Sequence, residues 1–188
     1  FLYSGKLEYL DYIESEKDEV FHNILKLSDS ESYLDLGAYR GDTVEEFLHY
    51  VSDYEKIVAL EANFKNFSKL QINCEALENF TPLNMGVSNK RETVLVSKGG
   101  GRQSVLSDKN GVEVQTVTLD ELSKSHGGFS YIKIDIEGME HKMLEKSAET
   151  LSRKPKLNCA AYHTNSDFFT LINEIHRQNN EYKIYLRK

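Results

Sequence analysis

Two hydrophobic periods alternate along this chain. Residues 33–36, Tyr-Leu-Asp-Leu, form a short run that stops at Gly37, which predicts a strand closing in a tight turn. Beyond it Val44, Phe47, Leu48 and Val51 recur at helical spacing, with Asp42 and Thr43 placed to cap the start. Residues 56–61, Lys-Ile-Val-Ala-Leu-Glu, read as a second, buried strand ending in an acid. The spacing of Phe67, Leu70 and Cys74 predicts a helix over 64–77, and 82–87 predicts a third short strand. Residues 93–96 and 112–117 predict two strands flanking a loop at 97–111, which a minimal alternating β/α domain does not need. Thr118 opens a helix with Asp120 and Glu121 in its first turn. Residues 131–134 predict a strand running into Asp135, Glu137 and Gly138, followed by a helix over 139–151 closed off by Pro155. A fifth strand over 157–162 ends at His163, Ser166 is placed to cap a helix over 167–178, and 182–186 predicts a last strand. Ahead of all this, Leu7, Leu10, Ile13, Val20, Phe21, Ile24 and Leu25 predict one or two amphipathic helices over 3–27, the second starting at Ser15 or Asp18. Their expected role is a lid or brace. The alternation argues an α/β fold, a doubly wound and mainly parallel sheet with N-terminal helices and a β-hairpin insertion.

Composition narrows the class of protein. The length of 188 residues suits one domain with a proper core. Apolar content of 39% and charged content of 28% are those of a soluble globular chain, and no apolar run approaches a membrane span. A net charge of −7 disfavours a broad nucleic-acid or anionic-membrane surface. Cys74 and Cys159 fall in predicted buried elements without metal-ligand spacing, which points to packed thiols in a reducing cytoplasm. The first residues lack the charged-then-apolar pattern of a secretory leader.

Candidate chemistry gathers at the predicted strand ends. A strand, a glycine turn and a helix N-terminus make a nucleotide-binding corner, where backbone N–H groups and the helix dipole face the ligand. Here the glycines are Gly37 and Gly41, and bulky Tyr39 stands where a dinucleotide fold needs its middle glycine. No phosphate-binding Gly-Lys-Ser or Gly-Lys-Thr follows. The corner therefore suits a ligand with an adenosine and no pyrophosphate, and S-adenosylmethionine is the obvious candidate. Its cationic sulfonium is tolerated beside carboxylates such as Asp35 and Asp42. The plainer alternative is an ordinary turn. Glu61, 24 residues past Gly37, sits at the distance where an acid meets ribose hydroxyls. Asp135 and Glu137 lie two residues apart as strand gives way to turn, so only one need face the cleft. Asp135 could instead simply cap a helix. His163, with Asn165, falls opposite these carboxylates and is a candidate proton acceptor. Lys98, Gly99–Gly101 and Arg102 could form an anion nest, although an ordinary hairpin loop is the favoured reading. No metal is assigned, because the visible oxygen ligands are too few.

Three segments carry a family resemblance: Tyr33-Leu-Asp-Leu-Gly-Ala-Tyr-Arg-Gly-Asp-Thr, Thr118-Leu-Asp-Glu-Leu and Ile132-Lys-Ile-Asp-Ile-Glu-Gly-Met-Glu. Together they resemble FkbM-type S-adenosylmethionine-dependent methyltransferases, from about residue 30 onward and including the closing Tyr182-Lys-Ile-Tyr-Leu-Arg. The resemblance implies a Rossmann-like sheet of the class I methyltransferase type, in a domain over 30–188 behind the helical lid or brace at 1–29. It implies methyl transfer, usually to a hydroxyl of a sugar, polysaccharide precursor or natural product. By the same likeness Gly37, Tyr39, Gly41 and Asp42 hold the methionine part of the cofactor, and Glu61 holds the ribose. Met85, Gly86 and Val87 border the adenine, and Asp135 faces the sulfonium and the acceptor. The family sheet ordinarily closes with a seventh, antiparallel strand, for which no segment is left after 182–187, so a sheet short of that strand is expected.

Three functions compete at this point. An O-methyltransferase acting on a small-molecule or carbohydrate acceptor leads, with Asp135, His163 and Glu137 as catalytic candidates. A silent cofactor-binding domain, docking a partner through its N-terminal helices, is the alternative. A nucleic-acid methyltransferase comes last, given the acidic balance and the lack of an Asn-Pro-Pro-Tyr or Asp-Pro-Pro-Tyr motif.

Overall fold

Five strands lie side by side in the order β3-β2-β1-β7-β8, and every neighbouring pair is parallel. They are β1 Ser32–Leu36, β2 Lys56–Leu60, β3 Phe80–Leu83, β7 Tyr131–Ile134 and β8 Lys156–Cys159. This computed structural model describes residues 15–97 and 111–187. The earlier half of the predicted N-terminal helices and the glycine-rich loop with Lys98 and Arg102 lie outside them. The strand order reverses between β1 and β7, because the chain runs outward through β2 and β3 and then returns to the other side of β1. Ligands of open α/β sheets bind at such a switch point, beyond the carboxyl ends of the strands.

Both faces of the sheet are covered, as a parallel sheet requires. On one face α1 Asp42–Tyr50 and α2 Phe64–Asn73 bury Val44, Phe47 and Leu70 against Tyr33, Ile57 and Ala59. Tyr33 stacks on both Phe47 and Tyr131, with ring centres 4.4 and 4.9 Å away. On the other face α3 Leu119–Ser125, α4 Glu140–Leu144, α5 Ala148–Ser152 and α6 Asp167–Gln178 bury Leu122, Met143, Leu151 and Leu171 against Leu34, Leu36, Ile132 and Ile134. α3 starts where expected, and its start carries a cap: Thr118 accepts from Glu121 N while Glu121 reaches back to Thr118 N, a complete capping box. Of the predicted N-terminal helices, the described part is a π-helical stretch, Glu19–Ile24. Its Phe21 is buried and stacks on Tyr50 at 4.3 Å, and the Tyr50 hydroxyl donates to Asp18. This segment braces α1.

Several predicted elements are redrawn by tertiary contacts. The strand expected over 82–87 divides into β3 and β4 Gly86–Val87, and β4 joins a second sheet of order β4-β6-β5 with β5 Thr93–Val96 and β6 Val112–Val117. Asn84 bends the chain there by donating to the carbonyls of Glu61 and Ala62. β5 and β6 pair antiparallel as the expected hairpin. The helix expected over 139–151 breaks at buried Ser147, whose hydroxyl donates to the Met143 carbonyl. Ser166 makes no side-chain cap; Asp167 instead accepts from the backbone and hydroxyl of Thr164. Residues 182–186 form no strand, although their pattern allowed one. Among the described residues no strand lies alongside to complete a ladder, and Ile184, Tyr185 and Leu186 remain partly exposed.

Candidate functional site

The turn after β1 is shaped by packing as much as by conformation. Gly37 has φ +82°, and a Cβ there would lie 1.9 Å from the Asp135 carbonyl oxygen. Gly41 has φ +96°, stands at the N-cap of α1, and would put a Cβ 2.9 Å from Cys74 Sγ. Neither position tolerates a side chain. Between them Tyr39 adopts φ +51° with no glycine to ease it. Its N–H donates to Glu61 Oε2 at 2.9 Å, while Asn63 N donates to Glu61 Oε1 at 2.7 Å. Glu61 therefore holds the turn to the end of β2 while its carboxylate keeps further acceptor capacity, two of about four lone-pair sites being used. Burial pushes the Glu61 carboxyl up to about 7, and the hydrogen bonds from Asn63 and Tyr39 pull in the other direction.

Asp35 and Asp42 take unlike places. Asp42 is exposed in the first turn of α1, where a carboxylate meets the positive end of the helix. Asp35 is wholly buried beneath the turn, so it supports the corner from below rather than from its surface. It lies opposite Lys133 in the β1–β7 register, 3.2 Å from the Lys133 ammonium, and it accepts from the Thr43 hydroxyl. Thr43 is thus spent on Asp35 instead of capping α1. Lys133 also donates to the Gly37 carbonyl at 2.7 Å, tying β7 to the turn. Sequence reading passed over Lys133. The signal was present, since Asp35 and Lys133 are opposite charges inside two apolar runs.

Across the switch point, the end of β7 meets the end of β8. His163 Nε2 lies 3.3 Å from Asp135 Oδ1 and 3.4 Å from Glu137 Oε2, while its Nδ1 lies 3.2 Å from Glu140 Oε1. The Tyr162 hydroxyl donates to Asp135 Oδ2 at 3.2 Å. The predicted group Asp135, Glu137 and His163 is therefore brought together, and Glu140 and Tyr162 join it unforeseen. Glu140 is 1% exposed and also accepts from Ile136 N. Asn165 stands exposed, with no hydrogen bond to this group. Met85 and Gly86 lie beyond the end of β3, where Met85 packs on the core and Gly86 approaches Thr116 across the second sheet. A cavity of about 930 Å³ runs along the outer edge of β8 and reaches Asp135 and Tyr162 at one end.

The FkbM methyltransferase domain model matches residues 35–184. This chain belongs to the FkbM methyltransferase family. The FkbM methyltransferase from Methylobacillus flagellatus KT superposes with a TM-score of 0.76 at 22% identity, over 97% of this chain and 47% of that one. The present chain thus spans about half the length of that relative. Precorrin-6y C5,15-methyltransferase from Geobacter metallireducens GS-15 superposes with a TM-score of 0.53 at 14% identity, over 86% of this chain and 75% of that one. These likenesses place the FkbM domain in the Rossmann-like, class I methyltransferase fold. A search of curated proteins finds no match. Among the described residues, no helix is long and apolar enough to cross a membrane.

Proposed function

We propose that this FkbM domain binds S-adenosylmethionine and transfers its methyl group to a hydroxyl of a sugar, polysaccharide precursor or natural product in the cytoplasm. The observation that carries this reading is the contact between Gly37 and the Asp135 carbonyl, which gives the glycine turn and the acid–histidine group a common wall. A cofactor held at the turn then has its reacting end beside Asp135. The surroundings suit it: the turn presents backbone without side chains at Gly37 and Gly41, Glu61 has lone pairs left for ribose hydroxyls, and Met85 and Gly86 border the adenine side. The cofactor supplies an electrophilic methyl group when bound.

The side chains of this domain have three tasks. Glu61 and the Gly37–Gly41 turn orient the nucleoside, and holding reactants in line is an effect worth ~7–11 kcal/mol. Asp135 and Glu137 place negative charge beside a sulfonium. His163 or Asp135 receives the acceptor's proton. The cavity along β8 gives an acceptor a route to the Asp135 end.

The test uses labelled S-adenosylmethionine with a panel of sugar and nucleotide-sugar acceptors, and calorimetry with S-adenosylhomocysteine and NAD. Binding of S-adenosylhomocysteine but not NAD is expected, with product methylation falling ~10²–10⁴-fold in Asp135→Asn or His163→Ala. Equal turnover in wild type and both variants removes this site as the chemical centre. Tight nucleoside binding with no turnover on any acceptor favours a silent cofactor-binding domain.

A further inference from the structure

Charge and hydrogen bonding at the β7–β8 end do not balance. Three carboxyl groups, Asp135, Glu137 and Glu140, surround one imidazole, more acids than a single ring can pair. Glu140 is almost wholly buried, where uncompensated negative charge is expensive. Three buried atoms here also make no hydrogen bond: Glu140 Oε2 has no partner, and Asp135 Oδ1 and His163 Nδ1 have only their ion-pair contacts with His163 Nε2 and Glu140 Oε1. Buried polar atoms are rarely left so, and three in one place point to a missing partner. Asp135, Glu140 and His163 can each bring one donor atom within 4.8 Å of the other two, the spacing of ligands around a single ion.

We propose that Asp135, Glu140 and His163 bind one divalent transition-metal ion. Two carboxylates and a neutral imidazole supply charge and donors for it, and Ile136 N–H holds Glu140 in orientation from behind. The nitrogen donor favours Mn²⁺, Fe²⁺ or Zn²⁺ over Ca²⁺ and Mg²⁺, which prefer oxygen throughout. Asp135 and Tyr162 lie on the exposed side, so an ion here has positions open toward an entering oxygen and would polarise it. The proposal deepens the reading above and rests on it only for the identity of that oxygen; the ion itself is detected without turnover.

The experiment is titration of Mn²⁺ into the whole chain, followed by loss of the free-ion electron paramagnetic resonance signal. One Mn²⁺ per chain is expected, displaced by stoichiometric Zn²⁺ and by Mg²⁺ only in large excess. Glu140→Gln, which keeps an oxygen for Ile136 N–H, should weaken Mn²⁺ at least ~10–100-fold. If that variant does not fold by circular dichroism, Asp135→Asn, at a partly exposed residue, takes its place with the same expectation. No signal loss at millimolar Mn²⁺, or equal affinity in wild type and a folded variant, overturns the site. S-adenosylhomocysteine calorimetry on the same samples separates the two readings. Nucleoside binding without Mn²⁺ overturns only the cation site, and Mn²⁺ binding without nucleoside supports it while overturning the cofactor reading.

Discussion

Gly37 has no room for a side chain, and that makes it the sharpest test at the scale of single residues. Gly37→Ala must push the β1 turn away from Asp135 and hold a strained φ. The expected cost is about 1–3 kcal/mol for overpacking, with strain in addition, read by urea unfolding. Cofactor affinity should fall with it. Glu61 differs from the usual residue at a strand end, since it is 6% exposed and receives two backbone N–H groups. Glu61→Ala should therefore destabilise the fold by about 1–3 kcal/mol, and Glu61→Gln by less, because an acceptor oxygen remains. The pH dependence has a definite sign. The folded pKa is raised from 4.5 to about 7, so the protonated form contributes stability fully below pH 4.5, and that contribution is lost as pH rises through 7. Ribose hydroxyls donate best to the ionised form. Affinity for S-adenosylhomocysteine should then rise with pH up to about 7 with proton release, a slope that Glu61→Gln abolishes. Calorimetry in buffers of different ionisation enthalpy measures it.

At the scale of elements, β1 and β7 are joined by more than their ladder. The Asp35–Lys133 pair lies across them, and Lys133 reaches on to the Gly37 carbonyl. Removing one partner leaves a buried charge uncompensated, so Lys133→Met should cost roughly 3–5 kcal/mol in denaturant unfolding. Asp35→Leu combined with Lys133→Met should cost less than the two single changes summed, since the second removes what the first orphaned. The capping box of α3 predicts a smaller effect. Thr118→Ala should cost about 1 kcal/mol, because the Glu121 amide loses its acceptor.

At the scale of the whole molecule, one sheet separates two cores, each closed by its own helices. Leu70 belongs to the α1–α2 side and Leu122 to the α3–α6 side, and both are almost fully buried. Leu→Ala at either should cost about 2–5 kcal/mol, and the double variant should add within about 0.5 kcal/mol if the cores share only the sheet. Both variants should still unfold in one transition, because neither core survives the loss of β1. Divergent fluorescence and circular-dichroism midpoints would show that the two sides unfold separately.

What the sequence determined by itself is local. Short, largely apolar runs ending at glycine or acid marked β1, β2 and β7, because a strand buried on both faces has little polar side to show even where Asp35 and Lys133 sit inside it. The helix Asp167–Gln178 and the helix start at Thr118 were legible because apolar spacing and first-turn acids act within a few residues. The glycine turn, Glu61 and the Asp135–Glu137 pair could be picked out for the same reason. Tertiary structure decided the rest. Whether residues 182–186 form a strand depends on a neighbour that their own alternation cannot supply. The break at Ser147 depends on burial, which turns its hydroxyl back onto Met143. That Asp35 lies under the turn while Glu61 grips it follows from the parallel register and from the chain's return to β7 on the far side of β1. Glu140, inside what reads as a helix, joins His163 only because that return sets the ends of β7 and β8 side by side.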